Sequence, residues 1–155
     1  MGSEMCIRDR NISRSAILPY TTRQMYDVVA DIRSYPGFLN WCEASQIISE
    51  IDQEVVAKLK ISYAKLNFEF TTRNINSPHQ SIQLNLVDGP FSSLSGEWTF
   101  VELSKDACKV SIQMTFDFEN SLTKKMMAKV FSNIIATQLE AFQSRAKVIY
   151  GARNV

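Results

Sequence analysis

The sequence predicts an α+β domain in which a curved antiparallel sheet of about seven strands wraps around one long C-terminal helix. Two short helices follow the first strand. Three observations carry this prediction. Val110, Ile112, Met114, Phe116 and Phe118 alternate with Lys109, Ser111, Gln113, Thr115 and Asp117, the period-two pattern of a strand with one buried face. Directly afterwards, Ser121 to Ala152 contains no Pro, and no Gly before Gly151. It can therefore run as a helix of about 45 Å, at about 1.5 Å per residue. Short apolar runs joined by turns fill the middle of the chain, which implies an antiparallel meander. So long a helix needs a large apolar surface to lie on. A sheet curved around a single helix is hard to fill completely, so the expected functional site is a cavity between the two.

Each element has its own signal. Ile12 to Leu18 reads as a strand ended by Pro19. Thr21 and Gln24 have capping-box spacing, and Met25, Val28, Val29 and Ile32 share one side of the helix that follows. Tyr35-Pro36-Gly37 should break that helix, leaving Phe38, Leu39 and Trp41 in a short apolar segment. Ala44 to Ile51 and Val55 to Tyr63 read as strands joined by a turn at Asp52-Gln53. In Leu66 to Asn74, Leu66, Phe68 and Phe70 face away from Asn67, Glu69 and Arg73. Ser77-Pro78 and Asp88-Gly89-Pro90 are turn signals on either side of Ile82, Leu84 and Leu86. Leu94, Gly96, Trp98 and Phe100 form the next apolar face, with Gly96 marking a bend or close approach. On the final helix Met127, Val130, Phe131, Ile134, Ile135, Phe142 and Ile149 fall on one broad side. Lys129 and Lys147 stack on the opposite side, with Lys125 beside them.

The chain of 155 residues is long enough for one domain with a real core, read here as residues 11–155. Residues 1–10 are polar and charged and lack the apolar stretch of a signal peptide, so they read as a disordered or non-native tail. No apolar run reaches the ~18 residues of a membrane span. Cys6, Cys42 and Cys108 are widely spaced and odd in number. They give neither a disulfide framework nor a zinc site, which points to a cytoplasmic protein. Net charge is +1 but unevenly placed: residues from Ser121 onward carry six basic groups and one acid, Glu140. That asymmetry can mark an anionic partner, RNA or a lipid surface, with Lys125, Lys129 and Lys147 as its footprint.

Catalytic signatures are missing. The one histidine, His79, sits in a turn and reads as solvated. There is no metal constellation, no phosphate loop, and no nucleophile with a base. These absences weigh against an enzyme, against a required cofactor and against DNA binding. The chain instead carries nine Phe, six Met, two Trp and five Tyr, a surplus of large soft apolar side chains. Strand parity and helix spacing place Phe38, Trp41, Leu59, Phe68, Trp98, Met114, Met127, Phe131 and Ile134 around an apolar cavity. Arg73 and Asn74 are the candidate polar contacts. Parity turns Arg73 outward, so it reaches the cavity only if a bulge redirects it.

Four ordered motifs then carry a family resemblance. They are Tyr35-Pro36-x-Phe38-Leu39 with Trp41-Cys42, Phe70-Thr71-Thr72-Arg73-Asn74, Leu86-Val87-Asp88-Gly89-Pro90-Phe91, and Leu94-x-Gly96-x-Trp98-x-Phe100. Together they resemble the coenzyme Q-binding START-like family, also labelled polyketide cyclase/dehydrase-type, from about Asn11 to Gly151. The resemblance implies a helix-grip fold and a tunnel for ubiquinone or a related lipid, held by a carrier that supports respiration. The most similar branch is that of bacterial ribosome-association toxins. For that branch the resemblance implies binding to the large ribosomal subunit and a block on subunit association. It also raises a cyclase-like enzyme and a peripheral location at the inner membrane. Asn40 stands where the family often has Pro, which loosens the segment before Trp41.

Overall fold

A computed structural model describes residues 10–118 and 124–152. The sheet is built from β1 (Arg10–Leu18), β2 (Cys42–Ile51), β3 (Glu54–Tyr63), β4 (Leu66–Ser77), β5 (Ser81–Asp88), β6 (Phe91–Ser104) and β7 (Ala107–Phe118). Its strand order is β1-β7-β6-β5-β4-β3-β2, and every neighbouring pair is antiparallel. Helix α1 (Thr22–Ala30) and a 3-10 helix (Ile32–Gly37) connect β1 to β2. Helix α2 (Lys124–Tyr150) closes the chain and packs on β1, β7 and α1. The expected first turn of α2 at Ser121, the tail up to residue 9, Cys6 and Arg153 lie outside the described residues.

Local chemistry explains the boundaries. The Gln24 backbone N–H donates to Thr21 Oγ1 at 3.1 Å, and the Thr21 N–H donates to Gln24 Oε1 at 3.0 Å, so the capping box starts α1. Pro36 does not end a helix as expected; it sits inside the 3-10 helix, whose backbone suits its fixed φ. The β3–β4 hairpin turns through Ala64 and Lys65, both at positive φ, as a two-residue turn of the primed type requires. His79 also lies at positive φ, and its ring meets Tyr26 edge-on at 5.5 Å. It is an exposed turn residue that touches Tyr26 on one side.

The core lies between the concave sheet face and α2. Phe131 from the helix enters a phenylalanine cluster of the sheet, with ring centroids 4.8 Å from Phe116, 5.2 Å from Phe91 and 5.9 Å from Phe70. Phe91 and Phe118 stack at 4.3 Å across the β6–β7 ladder. A second cluster joins Tyr35, Phe38 and Trp98 around Phe142 of α2. At the far end, the Tyr20 hydroxyl donates to the Gly151 carbonyl at 2.8 Å and ties α2 to the loop after β1.

Gly96 is a close-approach glycine. A Cβ there would lie 2.6 Å from both the Gln113 carbonyl oxygen and Met114 Sδ. Its absence lets the Met114 side chain fold across β6 toward the interior. A Gly96→Ala substitution should therefore lower stability by about 1–3 kcal/mol, the usual cost of overpacking. A urea midpoint equal to the parent's would contradict the close approach.

Candidate functional site

A mainly apolar cavity of about 60 Å³ lies between the sheet and α2. Ala57 and Leu59 of β3 form one wall, and Leu84, Leu94, Trp98 and Met114 of the next strands form another. Phe131, Ile134 and Ile135 of α2 close it from above. Ile32, Tyr35 and Trp41 supply the side nearest the 3-10 helix. Among the described residues, no Asp, Glu, Lys, Arg or His lines it. The polar side chains among the lining residues, besides Tyr35 and the two tryptophans, are Thr72, Asn74 and Gln138.

Two of these are settled against each other. The buried Thr72 hydroxyl donates to Asn74 Oδ1 at 2.8 Å. Gln138 is not: its Oε1 is buried without a hydrogen-bond partner. The Tyr35 hydroxyl donates to the Val29 carbonyl, and burial pushes its pKa well above the ordinary range. It stays a neutral phenol and is committed to the backbone. The cavity can bind and orient; it holds no pair of groups suited to proton transfer.

Trp41 lines this cavity and also a second, open groove of about 460 Å³ on the other side. Phe38, Asn40, Thr137, Glu140, Ser144 and Arg145 border the groove. The Arg145 guanidinium stands 5.0 Å from the Phe38 ring centroid, a cation–π contact on its rim. Asn40 therefore occupies the lip beside Trp41. Trp41 is the one residue common to the two linings.

Of the nine side chains expected around the cavity, Trp41, Leu59, Trp98, Met114, Phe131 and Ile134 line it. Three do not. Phe68 packs edge-on against Phe91 and Phe118, inside the phenylalanine cluster. Phe38 faces the outer groove, and Met127 is buried away from the hollow. Arg73 stays outside: a register shift does occur at Thr71/Thr72, yet Arg73 Nε pairs with Glu54 Oε2 at 2.6 Å on the exposed face. Asn74 is buried and lines the cavity. Sequence reasoning missed Thr72 and Gln138. Thr72 shares the parity of Phe70 and Asn74, a usable signal; Gln138, one turn after Ile134 and Ile135, had none but helix spacing.

Lys125, Lys129 and Lys147 are exposed, and none has a carboxylate within 4.0 Å among the described residues. Glu140 lies about three turns beyond Lys129 on the same side, so the basic stripe is interrupted. Lys129 borders a groove shared with Asn11 and Arg14 of β1. Among the described residues there is no cluster of metal-ligating side chains, and no helix is long and apolar enough to cross a membrane.

The sequence profile of the family described as polyketide cyclase / dehydrase and lipid transport matches residues 18–143. The chain belongs to this family. A ribosome association toxin RatA from Pseudomonas aeruginosa is 42% identical over 141 residues, covering 91% of this chain and 98% of that relative. A mitochondrial coenzyme Q-binding protein COQ10 homolog B from Xenopus laevis is 26% identical over 147 residues, 92% of this chain and 60% of that protein. Among solved structures, the Zhui aromatase/cyclase from Streptomyces sp. R1128 superposes with a TM-score of 0.83 at 18% identity, covering 95% of this chain and 99% of the other. This family member thus has the helix-grip fold. The family's description covers cyclases and lipid transport alike, so the chemistry must be read from the lining.

Burial also gives a pH signature. It pushes the thiols of Cys42 and Cys108 up from 9.0 to about 11 and raises the Tyr35 phenol further. Raised folded-state values mean that their contribution is fully present below pH 9 and is lost as pH rises through 11. Urea midpoints should hold steady up to about pH 9 and fall beyond it, and Cys108→Ala should make that fall shallower. A flat profile to pH 11 would count against the buried thiols.

Proposed function

We propose that the protein is a non-enzymatic carrier for a hydrophobic ligand, ubiquinone or a related lipid, acting in the cytoplasm or at the inner-membrane surface. The observation that carries this reading is an apolar hollow with no charged side chain among the described residues, sharing Trp41 with an open groove. The relative named for coenzyme Q binding supports the ligand class. Size adds a condition. A cavity of about 150 Å³ takes benzene, and this one measures about 60 Å³. A ring enters only if Trp41 and the flexible Met114 move aside, joining hollow and groove. Binding should then change Trp fluorescence. No separate cofactor is needed for such a role.

Titration with a short-chain ubiquinone analogue, read by Trp fluorescence, tests the proposal. Ala57→Leu adds bulk to the cavity wall and should weaken binding about tenfold while the protein stays folded. Equal affinity in a folded Ala57→Leu protein would move the ligand elsewhere.

The 42%-identical relative named as a ribosome association toxin favours a second reading, binding to the large ribosomal subunit. The exposed Lys125, Lys129 and Lys147 are its candidate contacts. Each phosphate contact adds about 0.7 to 0.9 to the slope of log affinity against log salt. A triple Lys→Gln protein should co-sediment more weakly with large subunits and show a flatter salt dependence. Co-sedimentation equal to the parent's at two salt concentrations would remove these lysines from the interface. The two readings use different surfaces, so each test leaves the other intact.

A further inference from the structure

The hollow carries information about the ligand's polar group. We infer that it selects a neutral ligand bearing a hydroxyl, and prefers that ligand to its carbonyl counterpart and to an anionic lipid. The inference rests on the carrier reading and names the head-group chemistry of that site.

Three observations lead there. Gln138 is buried to more than nine-tenths, lines the cavity, and has an Oε1 with no hydrogen-bond partner. A buried amide oxygen in this position calls for a donor. Next, the neighbouring hydroxyls cannot supply one. Thr72 gives its only proton to Asn74 Oδ1, and Tyr35 gives its only proton to the Val29 carbonyl. Finally, among the described residues no cationic side chain lines the hollow. A carboxylate or phosphate brought there would be buried without a counter-charge, at high cost.

Candidate head groups separate on these terms. A ketone, quinone or ether has only acceptors and leaves Gln138 Oε1 unanswered. A fatty-acid carboxylate or a phospholipid head lacks a cation. A hydroxyl donates to Gln138 Oε1 and still offers lone pairs to the N–H groups of Asn74 or the indoles of Trp41 and Trp98, which line the same space. For a quinoid ligand this means that the reduced ring binds more tightly than the oxidised one. For an isoprenoid it means the alcohol rather than the aldehyde.

The test uses two matched pairs: a short-chain ubiquinone analogue and its quinol, held anaerobically, and farnesol with farnesal. Oleate is the anionic comparison. Dissociation constants from Trp fluorescence should favour the quinol over the quinone, and farnesol over farnesal, by about tenfold, roughly the value of one hydrogen bond. Oleate should bind more weakly than farnesol. In Gln138→Leu both preferences should shrink to within about twofold, with the carbonyl forms bound about as well as before. The parent ratios stand alone as a readout if Gln138→Leu does not fold. Equal affinities within both pairs in the parent would overturn the inference and leave the carrier reading intact, as would ratios unchanged in a folded Gln138→Leu protein. Binding of none of the five compounds would overturn both. Farnesol favoured over farnesal, with neither quinoid form bound, would support the hydroxyl rule and reject the quinone.

Discussion

Everything in this molecule depends on how one helix fills the concave face of a seven-stranded sheet. Phe131 is the wedge. Its ring stands edge-on to Phe116 and Phe70 and is inclined to Phe91, so α2 is pinned to three strands through one side chain. Each ring pair adds to the burial that anchors the helix, about 0.5–1.5 kcal/mol beyond area alone. At the other end, Phe142 does the same against Tyr35 and Trp98. Between these two anchors the strands offer smaller or more flexible residues, among them Ala57, Leu84 and Met114, and there the space is not filled. The cavity is what remains when a curved surface is bridged at two points.

The same constraint sorts the polar groups. Facing inward on β4, Thr72 and Asn74 satisfy each other, as buried groups must. Arg73, between them, points outward and pairs with Glu54. Both partners are about half exposed, so this pair contributes little to stability despite its short distance. Among the described residues Asn76, Ser132 and Gln138 keep a buried side-chain oxygen without a partner, and of the three only Gln138 stands in the wall of the hollow. The outer groove differs in kind. It carries Glu140 and Arg145, opens to solvent, and shares only Trp41 with the hollow.

Family relationships fit this division of labour. A fold shared with an aromatase/cyclase at 18% identity fixes the frame and leaves the lining free to change. In this chain the lining contains a committed phenol, a committed threonine hydroxyl and amides, with no acid or base among them. The outside of α2 is a separate matter. Its lysines play no part in the hollow, so a surface that meets a large partner and a hollow that holds a small one can coexist in one chain.

Much of the fold was legible from the chain itself. Alternation set the strands from β4 to β7, because a strand with one buried face must repeat with period two, while β1 and β2 were read as short runs bounded by Pro19 and the Asp52-Gln53 turn. The capping box placed the start of α1, and the uninterrupted run after β7 foretold α2. Gly96 was legible as a close approach, although its neighbour, Met114, was not. Six of the nine expected wall residues line the cavity because parity says which face a side chain takes. Parity does not say how far along the sheet the hollow extends. That was decided by tertiary packing, which drew Phe68 into the phenylalanine cluster and left Phe38 outside Trp41. It also decided which polar atoms found partners. Whether a glutamine oxygen ends up satisfied depends on what curvature and the opposite strands bring near it, and no local pattern in the chain carries that information.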